Sequence, residues 1–201
     1  MKKLIAVITL ALMPLTGMAA GGGVQLQKAN IDLSNEAAIQ RGAKQFVNYC
    51  MGCHSAKYVR YKLFTKVGLT EDDIKNNLRF TDAKVGDLMK IAMPEAEASG
   101  WFGAPAPDLT LTARIRHGGA DWIYSYLKGF YADPSRPMGV NNTVFPNVGM
   151  PHVLWEMQGI QHPVYRYEFH HDGHTVAEFD TEAAADAYMK EQGEGFRLER
   201  V

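Results

Sequence analysis

Both cysteines of this 201-residue chain, Cys50 and Cys53, lie within four consecutive positions, and His54 follows directly. Three chemistries use a Cys-x-x-Cys spacing. A dithiol redox pair belongs in a βαβ context, but the flanks here read as helical and no parallel sheet is in sight. A structural zinc site needs four ligands, and no second Cys or His pair stands at finger-like spacing. The third is covalent haem attachment, which the pentapeptide C-x-x-C-H signals directly. Two thiols on adjacent turns bond the two vinyl groups of one porphyrin, and the next residue, His54, falls under the iron as its proximal ligand. Only this third reading uses every residue of the motif.

Haem iron takes a sixth ligand, and a methionine opposite a histidine raises the reduction potential and suits electron transfer. Met51 is inside the attachment loop and does not reach the far face. Met89 and Met93 lie four apart on an apolar stripe, which reads as core packing, and Met157 and Met189 read as packing or surface residues. Met138 and Met150 fall in a long Pro/Gly stretch that can drape over the distal face. Met150, in "FPNVGMPH", has Gly149 before it for close backbone approach and Pro151 after it to fix the exit. This favours Met150 over Met138. The cluster His170, His171 and His174 invites a metal reading, but histidines at a hairpin turn read first as solvated. His117 and His152 are left as structural residues or neighbours of the haem carboxylates and Met150.

These groups need elements to position them. "IDLSNEAAIQRGAKQFVNYC" is predicted to be a helix with Ser34 as N-cap, with Ile39, Ala43, Phe46 and Tyr49 recurring at three- and four-residue steps. Its C-terminal end delivers the cysteines. "LTEDDIKNNLRF" reads as a short helix capped by Thr70. "AKVGDLMKIAM" reads as another, with Val85, Leu88, Met89 and Ala92 on one face and Pro94 ending it. "GWFGAPAPDLTLTARIRHGG" begins as a loop and turns helical after Asp108, and "GADWIYSYLKGFY" carries Trp122, Ile123, Tyr126 and Leu127 at helical steps. Residues 132–153 are turn chemistry almost throughout, and so long a loop in a compact domain usually has a function. "VYRYEFHHDGHTVAEFD" alternates as a β-hairpin across Asp172-Gly173, and "TEAAADAYMKEQ" reads as a last short helix.

The first twenty residues stand apart from the fold. Lys2 and Lys3, the apolar run Leu4 to Leu15, and small residues at Gly17 and Ala19 follow the order of a secretory signal, with cleavage near Ala19 or Ala20. Export fits a haem that is attached outside the cytoplasm. Loss of the two lysines takes the formal net charge from −1 to −3, so there is no electrostatic footprint of a nucleic-acid binder.

Four stretches carry a family resemblance: "CMGCHSAKYVRY" at 50–61, "GDLMKIAMP" at 86–94, "GWFGAPAPDLTLTARIRHGGADWIYSYLKGFY" at 100–131 and "FPNVGMPHVLWEMQG" at 145–159. With them the chain resembles cytochrome c1, the haem subunit of the respiratory ubiquinol–cytochrome c oxidoreductase, in its proteobacterial form. The resemblance implies one covalent haem c held by Cys50 and Cys53, with His54 and Met150 as iron ligands. It also implies that Arg114, the first arginine of "RIRHGG", meets a haem propionate. Tyr58, Arg60 and Tyr61 become the stretch that packs around the haem edge and the partner surface. The implied fold is mainly α, a class I cytochrome c-like haem domain over residues 21–201, with a long distal-ligand loop and a β-hairpin insertion.

The implied work is one-electron transfer from the Rieske iron–sulfur protein to cytochrome c, beside cytochrome b, on the periplasmic side of the bacterial inner membrane. No substrate chemistry of its own is expected. The family continues with a further helix and a C-terminal membrane anchor, neither of which stands before Val201. The rival readings are a soluble periplasmic cytochrome c shuttle, a haem peroxidase with an open sixth position, and a thiol–disulfide oxidoreductase.

Overall fold

Glu36–Gln45 form the first helix of the structure, a computed structural model that describes residues 24–164, 166–172, 174–192 and 196–200. The expected signal segment lies outside the described residues. Asn35 caps the helix, its side-chain oxygen accepting the Ala38 N–H at 3.0 Å. Ser34, the expected cap, instead donates its hydroxyl to Asp32 at 2.6 Å. Ala43 and Val47 bury the inner face, and the helix widens into a π turn over Phe46–Cys50. The cysteine motif therefore leaves from a helix C-terminus.

The chain returns as the strand Ala56–Arg60, which pairs antiparallel with Leu88–Met89. Between these strands come a 3₁₀ helix, Tyr61–Val67, and the helix Glu71–Asn77. Thr70 and Asp73 form a reciprocal capping box there: the Asp73 N–H donates to the Thr70 hydroxyl at 3.0 Å and the Thr70 N–H to the Asp73 carboxylate at 2.9 Å. Val47, Ala56, Tyr61, Ile74, Leu78 and Met89 close into the first hydrophobic cluster.

The helix expected over "AKVGDLMKIAM" is not there. The Lys84 N–H donates to the Asp87 carboxylate at 2.8 Å, and the Asp87 N–H donates to the Lys84 carbonyl at 2.9 Å. That closed turn ends any helix, and Arg60 ties off the Gly86 carbonyl. Met89 is core as expected, 1% exposed, but it reaches the core from a strand.

A second cluster forms around Phe130, Val140 and Val148, with Tyr126, Met138 and Met150 packed against it. The helix Gly119–Lys128 supplies Tyr126. Phe130–Ala132 then pairs antiparallel with Val140–Asn142, so the stretch read as turn chemistry opens with a short hairpin. An N-terminal strap lies along that helix: the Gln27 and Ala29 N–H groups donate to the Ser125 hydroxyl at 2.8 Å and to the Asp121 carboxylate at 2.9 Å.

The third cluster belongs to the C-terminal part. Tyr167–His171 pairs antiparallel with His174–Phe179 on one side and with Phe196–Arg200 on the other. Helix Glu182–Glu191 lays Ala185, Tyr188 and Met189 over Phe169. Phe169 is fully buried, edge-on to Tyr188 at 5.0 Å and to Phe179 at 5.8 Å. The third strand was not expected, and it turns a hairpin into a sheet. Across the described residues the architecture is helical with three small antiparallel sheets. Among them no helix is long and apolar enough to cross a membrane.

Candidate functional site

Cys50, Cys53 and His54 share one turn. The N–H groups of Cys53 and His54 both donate to the Cys50 carbonyl, at 3.1 and 2.8 Å. No disulfide joins the half-buried thiols. Burial, helped by the neighbouring Cys53, pushes the Cys50 thiol up from its ordinary value. A reactive dithiol needs the opposite, a thiol lowered by a helix N-terminus or a nearby cation. Here the motif follows a helix C-terminus, whose partial negative charge disfavours a thiolate.

His54 is 9% exposed and its Nδ1 lies 2.7 Å from the Pro107 carbonyl oxygen. That contact makes Nδ1–H the donor and leaves Nε2 as the lone-pair nitrogen, the arrangement in which a ligating imidazole is oriented and made more basic. The Pro107 segment is stitched in place. Leu109 N–H donates to the Ser55 carbonyl at 2.8 Å, and Asp108 accepts from the N–H groups of Lys57 at 2.7 Å and Thr110 at 3.0 Å. Burial pushes the Asp108 carboxyl upward, but these hydrogen bonds and the Lys57 charge outweigh it, and the carboxyl ends below its ordinary value. The "APAPDLT" stretch therefore holds the histidine's second nitrogen from behind.

Met150 is rooted in the second cluster with Met138. Its Sδ accepts a hydrogen bond from the Tyr126 hydroxyl at 3.3 Å. Burial pushes that phenol up to about 12, against a small opposing pull from Arg116, so it stays a donor. A Cβ on Gly149 would stand 2.7 Å from the Phe102 carbonyl oxygen. What the glycine before Met150 admits is thus the end of helix Glu95–Phe102.

Arg114 sits on the short helix Thr112–Ile115 and is exposed. Arg116, two residues on, lays its guanidinium 4.3 Å over Trp122 and is the arginine whose charge reaches Tyr126. The stretch after the Cys-x-x-Cys-His run divides. Tyr61 is 2% exposed core and Tyr58 is 74% exposed. Among the described residues no group of three or more His, Cys, Asp or Glu is placed to hold a metal ion. His170 and His171 instead face Glu168 at 3.6 Å and Asp172 at 3.5 Å.

Two buried asparagines were missed in the sequence. The Asn142 side chain donates to the Tyr126 carbonyl at 2.7 Å and accepts from the N–H groups of Val144 and Phe145 at 2.9 and 3.1 Å. Asn141 accepts from Asn147 N–H at 2.8 Å and donates to Asp133 at 2.9 Å. Together they shape the loop that carries Met150. An Asn-Asn pair beside a hairpin strand was the available signal. His152 stacks flat on Phe130, centroids 5.0 Å apart, with Nε2 3.1 Å from the Gly159 carbonyl and Nδ1 buried without a partner.

The donor set fits a covalently held haem. It offers two unbridged thiols in one turn, an imidazole with Nε2 free and Nδ1 fixed, and a half-buried thioether that keeps a second lone pair.

Residues 27–190 match the Cytochrome C1 family. The chain is 53% identical over 165 residues to the cytochrome c1 of Allochromatium vinosum, across 82% of this chain and 67% of that one. It is 48% identical over 160 residues to a Nitrosomonas europaea protein named ammonia monooxygenase gamma subunit, across 80% of this chain and 67% of the relative. To the mitochondrial cytochrome c1 heme protein of Saccharomyces cerevisiae it is 29% identical over 146 residues, across 61% and 47%. The match over most of the chain, with the motif geometry beneath it, places this protein in the cytochrome c1 family.

Proposed function

We propose that this chain is a one-electron carrier with one covalently bound haem c. It works within the ubiquinol–cytochrome c oxidoreductase complex beside cytochrome b, taking electrons from the Rieske iron–sulfur protein and passing them to cytochrome c. The observation that carries this reading is His54: a buried imidazole directly behind Cys-x-x-Cys, with Nδ1 held by the Pro107 carbonyl and Nε2 left as a ligand.

Cys50 and Cys53 would hold the porphyrin through thioether bonds. His54 Nε2 and Met150 Sδ would ligate the iron, and a thioether ligand would set a high reduction potential. Arg114 pairs with a propionate through a charge-assisted hydrogen bond. Bound haem supplies reversible one-electron chemistry without breaking any bond in a substrate. Residues 1–20 export the chain, and residues 21–201 act on the periplasmic side of the inner membrane, associated with it through the complex or a C-terminal anchor.

The test is spectroscopy and intact mass on protein exported with the cell's attachment machinery. The expected result is one haem mass added and a low-spin spectrum with methionine–iron absorption. That absorption disappears in Met150→Leu and persists in Met138→Leu. A bare polypeptide mass sinks the reading, and the reverse pattern in the two methionine variants sinks the ligand assignment.

A further inference from the structure

We propose that Tyr126 is a positioning residue for Met150, aimed by a ring stack that starts at Arg116, and that its hydroxyl raises the reduction potential of the site. The proposal rests on the reading that Met150 is the distal iron ligand.

Trp122 and Tyr126 lie four apart on the helix Gly119–Lys128, so their side chains share one face, and Phe130 opens the strand that follows. Trp122 and Tyr126 are stacked, centroids 4.9 Å apart and planes 11° from parallel. Phe130 meets Tyr126 edge-on at 5.3 Å. The Arg116 guanidinium covers the outer face of the series, 4.3 Å from the Trp122 ring centre. Tyr126 is thus held between rings on two sides, which leaves its hydroxyl one direction to point. That direction ends on Met150 Sδ at 3.3 Å. The main chain of the same residue is tied to the same loop, because Asn142 Nδ2 donates to the Tyr126 carbonyl at 2.7 Å.

A thioether sulfur has two lone pairs. One accepts the phenol hydrogen, and the other remains for a metal. Hydrogen bonding to a ligating atom draws electron density from it and tunes the metal. The oxidised iron, which needs that density more, loses more than the reduced iron, so the hydroxyl favours reduction. Trp122 acts only through the aim of Tyr126, which separates this role from simple packing.

The experiment uses the haem-loaded protein and a redox titration against a reference couple. In Tyr126→Phe, which keeps the ring and loses only the hydroxyl, the methionine–iron absorption stays. The equilibrium shifts about threefold toward the oxidised form, roughly 30 mV for one electron. Trp122→Leu shifts it the same way, and adding it to Tyr126→Phe gives no further shift. Should Trp122→Leu fail to fold, Trp122→Phe keeps a stack and keeps the native potential. Tyr124→Phe, which removes an exposed hydroxyl from the same helix, changes nothing. A native potential in Tyr126→Phe overturns the proposal, as does an additive Trp122 effect. If Met150→Leu retains the methionine band, the ligand reading has failed and the proposal falls with it.

Discussion

Asn142→Ala removes a side chain that is 1% exposed and makes three hydrogen bonds. The Tyr126 carbonyl keeps a second donor, the Gly129 N–H at 3.1 Å, so its loss is partial. The N–H groups of Val144 and Phe145 lose the acceptor that defines their turn. At about 1 kcal/mol net per hydrogen bond, with an added penalty for each donor left buried, the loss is about 3 kcal/mol. With a urea slope near 2 kcal/mol/M, the unfolding midpoint falls by about 1.5 M. The assay is urea unfolding followed by tryptophan fluorescence, with limited proteolysis of the 143–149 segment alongside. Thr143→Ala, next door but exposed, stays within about 0.5 kcal/mol of native. A loss below about 1 kcal/mol in Asn142→Ala, or an unchanged cleavage rate in that segment, would refute the claim that this asparagine builds the loop that carries Met150.

Gly149→Ala forces a Cβ against the Phe102 carbonyl and is expected to destabilise by about 1–3 kcal/mol, read by thermal unfolding. Gly42→Ala, in the middle of helix Glu36–Gln45 with open space around the added carbon, should instead stabilise by about 0.5–1 kcal/mol in the same measurement. The Asp121 carboxyl is held below its ordinary value by the Ala29 N–H and by Lys28. A depressed folded value means its contribution is present above the ordinary carboxylate range and lost as pH falls through the folded one. Asp121→Asn is therefore expected to lower the urea midpoint near neutral pH and to match the native protein in strong acid; a constant gap at all pH values contradicts this. Arg114→Leu, if Arg114 meets a propionate, destabilises the ionised form of that carboxylate, raises its proton affinity and shifts the pH dependence of the potential, while Arg116→Leu does not. The opposite pattern in redox titrations across pH moves the contact to Arg116.

That Cys50, Cys53 and His54 act as one unit was legible because they stand within five residues, and the structure closes them in one turn; the Glu71–Asn77 helix was legible because Thr70 and Asp73 declare its start within four. Ser34 and Asn35 are equally good caps on paper. The choice fell to Asn35 because Asp32 takes the Ser34 hydroxyl, a contact that composition does not rank. The apolar steps over 83–93 fit a helix and a turn-plus-strand alike, and the side chain of Asp87 tips the balance by capping Lys84. Asn141 and Asn142 read as turn residues since their type is polar. Their burial follows from the partners brought by Tyr126, Asp133 and Asn147, which no local window contains. The strand Phe196–Arg200 gained its role only from the open edge of Tyr167–His171.

The two proposed iron ligands are anchored in different hydrophobic clusters, His54 between Met51 and Ala56 of the first and Met150 in the second. Seven residues are buried in the first and three in the second, so on warming the thioether's footing loosens before that of the imidazole. Heat should therefore free the Met150 side chain from its packing while His54 still keeps its Pro107 contact, well ahead of complete denaturation.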